Sequence, residues 1–265
     1  MHPQLFILHN APSWTVLAIV GTLTALLIGW RAAAGAVPTG VRTELAAVAI
    51  AGGWLSAKVG HVVFEARGHA LPDGATATGI VSLLQADPWH WARLLEPGYV
   101  QLPGVAGGIG LGLLLLWRAG WWPAVPAVAD AAAIAVAVGT GIGRVGCFLA
   151  GCCYGAPTTL PWAVHFPSTH SSAGVGVHPT QLYDVGAAAV AVVVWLVLRR
   201  TPYRPGTAAL MTALTLLAAR FLTEFGRGDG DRGLWGPLST SQWLALLGMV
   251  AGAFVVGWRR RRARP

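Results

Sequence analysis

Seven stretches of this sequence are apolar for long enough to cross a hydrocarbon core, which takes about 20 residues of helix. They run over roughly 14–31, 44–64, 100–117, 122–150, 179–198, 205–226 and 238–258, with ends placed to about 2–4 residues. That pattern leaves little choice of fold. In lipid every backbone amide has to find its partner inside its own segment, so each run is expected to be a helix. Only 11% of the 265 residues are charged, against about 25% in a soluble domain. The expectation is an all-α polytopic membrane protein of about seven transmembrane helices, forming a single transmembrane domain over 1–265. A periplasmic loop or interfacial segment is expected at 65–99, with Trp89 and Trp91 at headgroup level, and a basic cytoplasmic tail at 259–265.

The formal charge of +8 raises the question of nucleic acid, and the placement of the cations answers it. Arg31, Arg42, Arg118, Arg199, Arg200, Arg204 and the tail arginines 259–262 and 264 fall on one side of the alternating loops, eleven of the 18 cations. Four, Arg67, Arg93, Arg227 and Arg232, fall on the other. Such a bias marks the cytoplasmic side. It predicts an N-terminus outside, a C-terminus inside and a multi-pass protein of the bacterial inner membrane, with membrane and no nucleic acid among its partners. The first residues lack a positive n-region and a small-residue cleavage site, so the first helix is expected to be retained.

Ionisable side chains inside such runs cost about 2.5–3.5 kcal/mol each on insertion scales and usually face the protein interior. Asp130 and Arg144 share the fourth run, 14 residues apart, on one face but separated by about 21 Å. Arg220 and Glu224 are i and i+4 in the sixth run, with Arg227 three further on, a spacing that lets the first two pair. Two readings are open: the charges pair or snorkel merely to lower their insertion cost, or Arg144 and Arg220 form a fork for a phosphate, which guanidinium groups bind bidentately. Two arginines at one depth near the outer face favour the second, and a lipid headgroup is the nearest phosphate.

Other polar groups stand at helix entries. The segment VHPTQLYD opens the fifth run, with His178 before it, Pro179 suited to a first turn, and Gln181, Tyr183 and Asp184 inside. For His178 a role in helix entry and a catalytic role weigh equally. Ser239, Thr240, Ser241 and Gln242 read as an N-terminal cap of the seventh run.

These segments resemble the prolipoprotein diacylglyceryl transferase family. GRVGCFLAGCCYG is similar to the family's GR-x-GNF-x-NGE-x-x-G, with Arg144, Gly146, Phe148, Gly151 and Gly155 on matching positions. HPTQLYD is similar to HPSQLYE, RFLTEFGRGD to RF-x-x-EFFR-x-D, and AGGWLSAKVGHVVFE to GG-x-LG-x-R-x-GY-x-x-FY, with Lys58 and His61 in place of Arg and Tyr. The resemblance implies transfer of a diacylglyceryl group from phosphatidylglycerol to the lipobox cysteine of a preprolipoprotein signal peptide, or another thiol acceptor, releasing glycerol 1-phosphate. It implies no external cofactor. Arg144 would bind the lipid phosphate, Arg220 would stabilise the departing phosphate, and Glu224 would orient Arg220. Gln181 and Tyr183 would line the site with Gly146, Cys147, Cys152 and Arg227, and Asp130 would support the fourth helix beside the substrate.

The departures fall on functional positions. Where the family has an HGG segment, this chain reads QLPGVAGG around Pro103, leaving His178 or His61 as the base, and the motif's two Asn and its Glu are Cys147, Ala150 and Cys152. All the cysteines of the chain, Cys147, Cys152 and Cys153, thus fall within seven residues. Packing or a Cys147–Cys152 disulfide, a redox or nucleophilic role, and a zinc held with His165, His170 or His178 are the readings left open, although the spacing is not a standard finger pattern. The rivals to a transferase are a membrane thiol-disulfide oxidoreductase and a non-catalytic lipid-binding relative.

Overall fold

The computed structural model describes residues 13–65, 101–167, 172–227 and 234–261. The interfacial segment expected within 65–99 therefore lies outside the described residues from 66 onward, as does the tail beyond 261. Among the described residues there are seven α-helices, one for each apolar run: α1 Ser13–Ala32, α2 Thr39–Glu65, α3 Gln101–Arg118, α4 Val125–Ala150, α5 Thr180–Arg199, α6 Thr207–Thr223 and α7 Thr240–Arg261. A two-residue hairpin, β1 Leu234–Trp235 and β2 Leu238–Ser239, precedes α7. Chain contacts divide the protein into two compact units, one formed by Val37–Val125 and the other by Met1–Ala36 with Pro126–Pro265.

Among the described residues the unit Val37–Val125 holds the helices α2 and α3, whose glycines let the backbones approach. A Cβ on Gly107 would overlap the Ser56 hydroxyl, and one on Gly60 would sit 2.5 Å from Pro103 Cγ. Helix α2 begins at Thr39, five residues before the apolar run does, because the Pro38 carbonyl accepts the Arg42 amide at 3.0 Å and starts the helix under polar residues.

The other unit holds α1 and α4–α7, and its helices carry the five spans long and apolar enough to cross a membrane. Helix α3 adds a shorter apolar stretch, Pro103–Arg118. Side-chain size runs opposite to that of a soluble protein. The buried positions include Ala131, Ala137, Ala188, Ala191, Ala208 and Ala245, whereas Phe254 is 75% and Leu222 66% exposed. Small residues inside and large apolar ones outside are what a helix bundle solvated by lipid requires. Helices α1 and α4 close on the same principle, with Gly29 facing Ala135 and Gly139 facing Ala25.

Two helix starts in this unit show how polar groups are satisfied within it. Helix α6 has no capping side chain of its own, and Gly206 at its N-cap adopts φ 84°. Asp130 of α4 does the capping instead: its two carboxylate oxygens accept the Gly206 and Ala209 amides, each at 2.7 Å. Trp195 of α5 donates its indole N–H to the Asp130 carbonyl at 2.7 Å, and Ile134, Trp195 and Ala208 form an apolar cluster alongside. Helix α7 begins with a capping box: the Ser239 hydroxyl accepts the Gln242 amide at 3.2 Å, and the Gln242 side-chain oxygen accepts the Ser239 amide at 3.0 Å.

Candidate functional site

At the C-terminal end of α4, a ladder of charged and polar side chains crosses four helices of one unit. Arg144 of α4 gives its Nε to Asp184 Oδ2 of α5 at 3.0 Å. The other oxygen of Asp184 accepts the Thr223 hydroxyl of α6 at 3.4 Å. One turn back on α6, Arg220 Nη2 pairs with Glu224 Oε2 at 2.7 Å and also donates to the Ser241 hydroxyl of α7 at 3.2 Å. Arg220 is within electrostatic reach of Glu224, Arg227, Asp184 and Arg144. The two arginines that the sequence places at one depth are therefore neighbours.

Each guanidinium is held along one edge only. Among the described residues Asp184 is the acceptor that Arg144 meets, through its Nε at 3.0 Å. Arg220 likewise meets Glu224 and Ser241, both through Nη2. Their side chains are 20% and 30% exposed, whereas Glu224 is 2% exposed. The carboxylates sit behind the arginines, fixing their planes and leaving donors on the open side, an arrangement suited to a tetrahedral oxyanion.

The cysteines converge beside this ladder, and the reason is how α4 stops. Gly151 takes φ 73°, the Cys152 amide returns to the Cys147 carbonyl, and the Gly151 amide bonds the Phe148 carbonyl, both at 3.1 Å. This is a Schellman termination, with a glycine in the left-handed position past the helix end. Cys153 follows at φ 61°, the one non-glycine residue with positive φ among the described residues. The double left-handed turn folds the chain back so that the three sulfurs lie within 4.8 Å of one another. None of the three is in a disulfide, so of the readings left open the Cys147–Cys152 bridge is not formed here, and the histidines considered as zinc ligands are not in the cluster, with His170 outside the described residues. Contacts with the other two thiols raise Cys152 above the usual thiol range. Hydrogen bonds from Cys147 and Cys152, with Arg144 and Arg227 nearby, hold Cys153 well below it.

The first turn of α5 locks this loop. Gln181, fully buried, donates its amide to the Cys152 carbonyl, and Thr180 donates its hydroxyl to the Cys153 carbonyl, both at 2.7 Å. Gly155 lets the loop pass: a Cβ there would collide with the Gly226 carbonyl and lie 2.7 Å from His178 Cβ. The chain from 155 to 178 then closes through the Gly155 amide on the His178 carbonyl at 2.8 Å and the His178 amide on the Ala156 carbonyl at 3.0 Å. Phe166 packs between Phe148 and Tyr154, with ring centroids 6.5 and 5.6 Å away.

His178 is thereby set against Gly226, just before Arg227. Its Nδ1 lies 3.1 Å from the Tyr183 hydroxyl, which accepts the Trp162 indole N–H at 2.8 Å. The roles in this contact follow the tautomer: with Nδ1–H donating to the Tyr183 oxygen, Nε2 keeps the lone pair that can accept a proton. Arg227 follows the short turn Glu224–Gly226 with its amide on the Glu224 carbonyl at 3.2 Å. Gly146 is buried on α4.

Of the residues the sequence singles out, Arg144, Arg220, Glu224, Arg227, His178, Tyr183, Gln181, Cys147 and Cys152 gather at this end of the unit. Asp130 does not. It sits about 21 Å down α4 with both oxygens committed to α6. Gln181 faces the cysteine loop, fully buried. Asp184, Thr223 and Ser241 are the ladder members that sequence reasoning did not assign to the site. Asp184 was visible only as polarity in an apolar helix, and Ser241 was absorbed into a cap that Ser239 and Gln242 complete without it.

The comparisons with known proteins bear on what this arrangement does. The model of the family described as prolipoprotein diacylglyceryl transferase matches residues 6–258. Among curated proteins, the chain is 33% identical over 184 residues to a phosphatidylglycerol–prolipoprotein diacylglyceryl transferase of Gloeobacter violaceus, covering 67% of each chain. It is 34% identical over 169 residues to that of Clostridium tetani, covering 63% of this chain and 67% of the relative. A Bordetella avium protein of the same name is 32% identical over 216 residues, covering 80% of this chain and 75% of its own.

Proposed function

The chain belongs to the prolipoprotein diacylglyceryl transferase family, and from that premise we propose that the open edges of Arg144 and Arg220 grip the phosphate of phosphatidylglycerol while its diacylglyceryl group moves to a thiol. The protein is a membrane enzyme of this transfer class, with phosphatidylglycerol and a prolipoprotein as substrates. The observation that carries the reading is that each guanidinium is pinned on one edge by a carboxylate and keeps donors on the other. Arg144, Arg220 and Arg227 against Asp184 and Glu224 leave one positive charge in excess among these residues. That matches the single negative charge of a phosphodiester.

In the step itself the acceptor sulfur attacks the glyceryl carbon that bears the phosphate oxygen. A C–S bond forms, the C–O bond breaks, and its electron pair leaves as glycerol 1-phosphate, now carrying two negative charges. The arginines stabilise the second charge as it develops, and donors aimed at developing charge contribute most when water is scarce. Glu224 orients Arg220, Asp184 orients Arg144, and His178, held by Tyr183, takes the thiol proton. Gln181, Gly146, Cys147, Cys152 and Arg227 shape the wall beside the headgroup. Asp130 supports the site from a distance by starting α6. The cation bias sets the site at the outer face of a bacterial inner membrane, where a secreted lipobox peptide arrives.

Purified protein given labelled phosphatidylglycerol and a lipobox peptide is expected to release glycerol phosphate and lipidate the peptide. Intact lipid and unmodified peptide after long incubation would overturn the reading. The thiol-disulfide oxidoreductase alternative draws no support from the family or from the named relatives.

A further inference from the structure

The sulfurs of all three cysteines of the chain meet within 4.8 Å at the lip of the arginine ladder. A zinc ion binds thiolates at about 2.3 Å, so tetrahedral ligands stand about 3.8 Å apart; three sulfurs within 4.8 Å need only small side-chain rotations to reach that spacing. The loop is also set for convergence before any ion arrives. The Schellman turn at Gly151 and the left-handed Cys153 bring the chain round, and the buried Gln181 and Thr180 clamp the Cys152 and Cys153 carbonyls from behind. Cys152 and Cys153 remain exposed and Cys147 partly so, which gives an ion a way in. Thiolates select soft and borderline cations over magnesium or calcium.

We propose that Cys147, Cys152 and Cys153 hold a zinc-class divalent cation through three thiolates, and that its fourth position receives the acceptor thiol of the transfer reaction. The proposal rests on the transferase reading above for the acceptor, and on the cysteine geometry alone for the metal. Among the described residues no histidine or carboxylate completes the set. Three protein ligands with one open position mark a catalytic rather than a structural zinc. Both carboxylates of the ladder are committed to arginines, which leaves His178 as the base, and a metal on the acceptor sulfur would make its proton easier to remove. On coordination the acceptor's S–H proton is released to His178 or water, the sulfur binds as a thiolate, and its lone pair then forms the C–S bond while the C–O pair leaves with the phosphate. No electrons are exchanged with any oxidant. Three thiolates around a divalent ion carry one net negative charge, and Arg144 and Arg227 lie within electrostatic reach of Cys153.

The test uses full-length protein in detergent under mild reductant. Elemental analysis is expected to find about one zinc per chain, lost in the Cys147→Ser/Cys152→Ser/Cys153→Ser variant. Because that variant can misfold, wild-type protein is also stripped with dipicolinate and refilled with Co2+. Near-ultraviolet sulfur-to-cobalt absorption is expected, with visible bands that shift when a lipobox peptide is added and stay still with its Cys→Ser counterpart. Glycerol phosphate release should fall at least about tenfold on stripping and return with Zn2+. A metal-free protein with a Cys147–Cys152 disulfide, cobalt bands indifferent to the peptide, or full turnover after stripping would each overturn the proposal while leaving the arginine clamp intact. Lack of turnover in metal-replete wild type would instead count against the transferase reading, and the cobalt spectra would still decide the site.

Discussion

The two ends of α4 carry one ionisable residue each, and the structure treats them in opposite ways. Asp130 is buried, and both of its oxygens are filled by backbone amides of α6 at 2.7 Å. Arg144 meets Asp184 through its Nε, and its side chain stays 20% exposed. Either residue inside an apolar helix suggests a function, because either costs free energy to insert. What separates them is completeness. A charged group whose hydrogen-bonding capacity is met entirely by the protein holds the fold together, whereas one met by half and still partly exposed has capacity left for a ligand.

The sharpest way to break that contrast is to remove the half-filled groups. Arg144→Ala and Arg220→Ala are each expected to lower turnover per folded molecule about 100- to 1,000-fold, the loss that goes with deleting a donor to developing charge, and Arg220→Ala also lowers Tm because it leaves the buried Glu224 without its cation. Arg144→Lys keeps the charge but loses the planar fork, and should recover only part of the rate. Near-normal turnover in either alanine variant would remove the phosphate clamp. Asp130→Ala should show the reverse pattern. Losing a cap and leaving two buried amides unpaired costs about 2–3 kcal/mol, read as a lower apparent Tm, while turnover per folded molecule holds. A variant as stable as wild type but inactive would place Asp130 in the chemistry instead.

The contrast was only half visible in the sequence. Helical arithmetic kept Asp130 and Arg144 too far apart to pair, and they do take separate partners; it also paired Arg220 with Glu224 at i and i+4, since both statements need only the pitch of a helix. The partners that decide each residue's role come from other helices. Nothing local links Asp130 to the amides of Gly206 and Ala209, or Arg144 to Asp184. The apolar runs found every α-helix of the described residues for a similar reason: lipid imposes a length on each span by itself. The cysteines show where such reading ends. Their closeness in sequence was plain, but their convergence depends on left-handed backbone at Gly151 and at Cys153, and no sequence rule calls for a cysteine in that conformation.

Asp184 lies between the two extremes, since one oxygen holds Arg144 and the other accepts the Thr223 hydroxyl. Asp184→Ala should therefore harm both properties, releasing the Arg144 plane and leaving Thr223 without that acceptor. A fall in kcat of roughly tenfold with a modest drop in Tm is expected, in keeping with the loss of a charge-assisted hydrogen bond of about 1.5–3 kcal/mol. Unchanged kinetics would mean that Arg144 is oriented by its own helix.

Ser241 gives the smallest and most discriminating case. Its hydroxyl accepts one hydrogen bond from Arg220 Nη2 at 3.2 Å, the same nitrogen that pairs with Glu224, and the capping box of α7 closes without it. If Arg220 is positioned chiefly by the buried carboxylate, Ser241→Ala removes about 1 kcal/mol of support, a roughly fivefold loss in kcat/KM at unchanged Tm. A loss as large as that of Arg220→Ala would mean that α7, rather than Glu224 on the same helix, sets the guanidinium plane. The division between filled and half-filled groups would then have to be drawn across helices instead of along one.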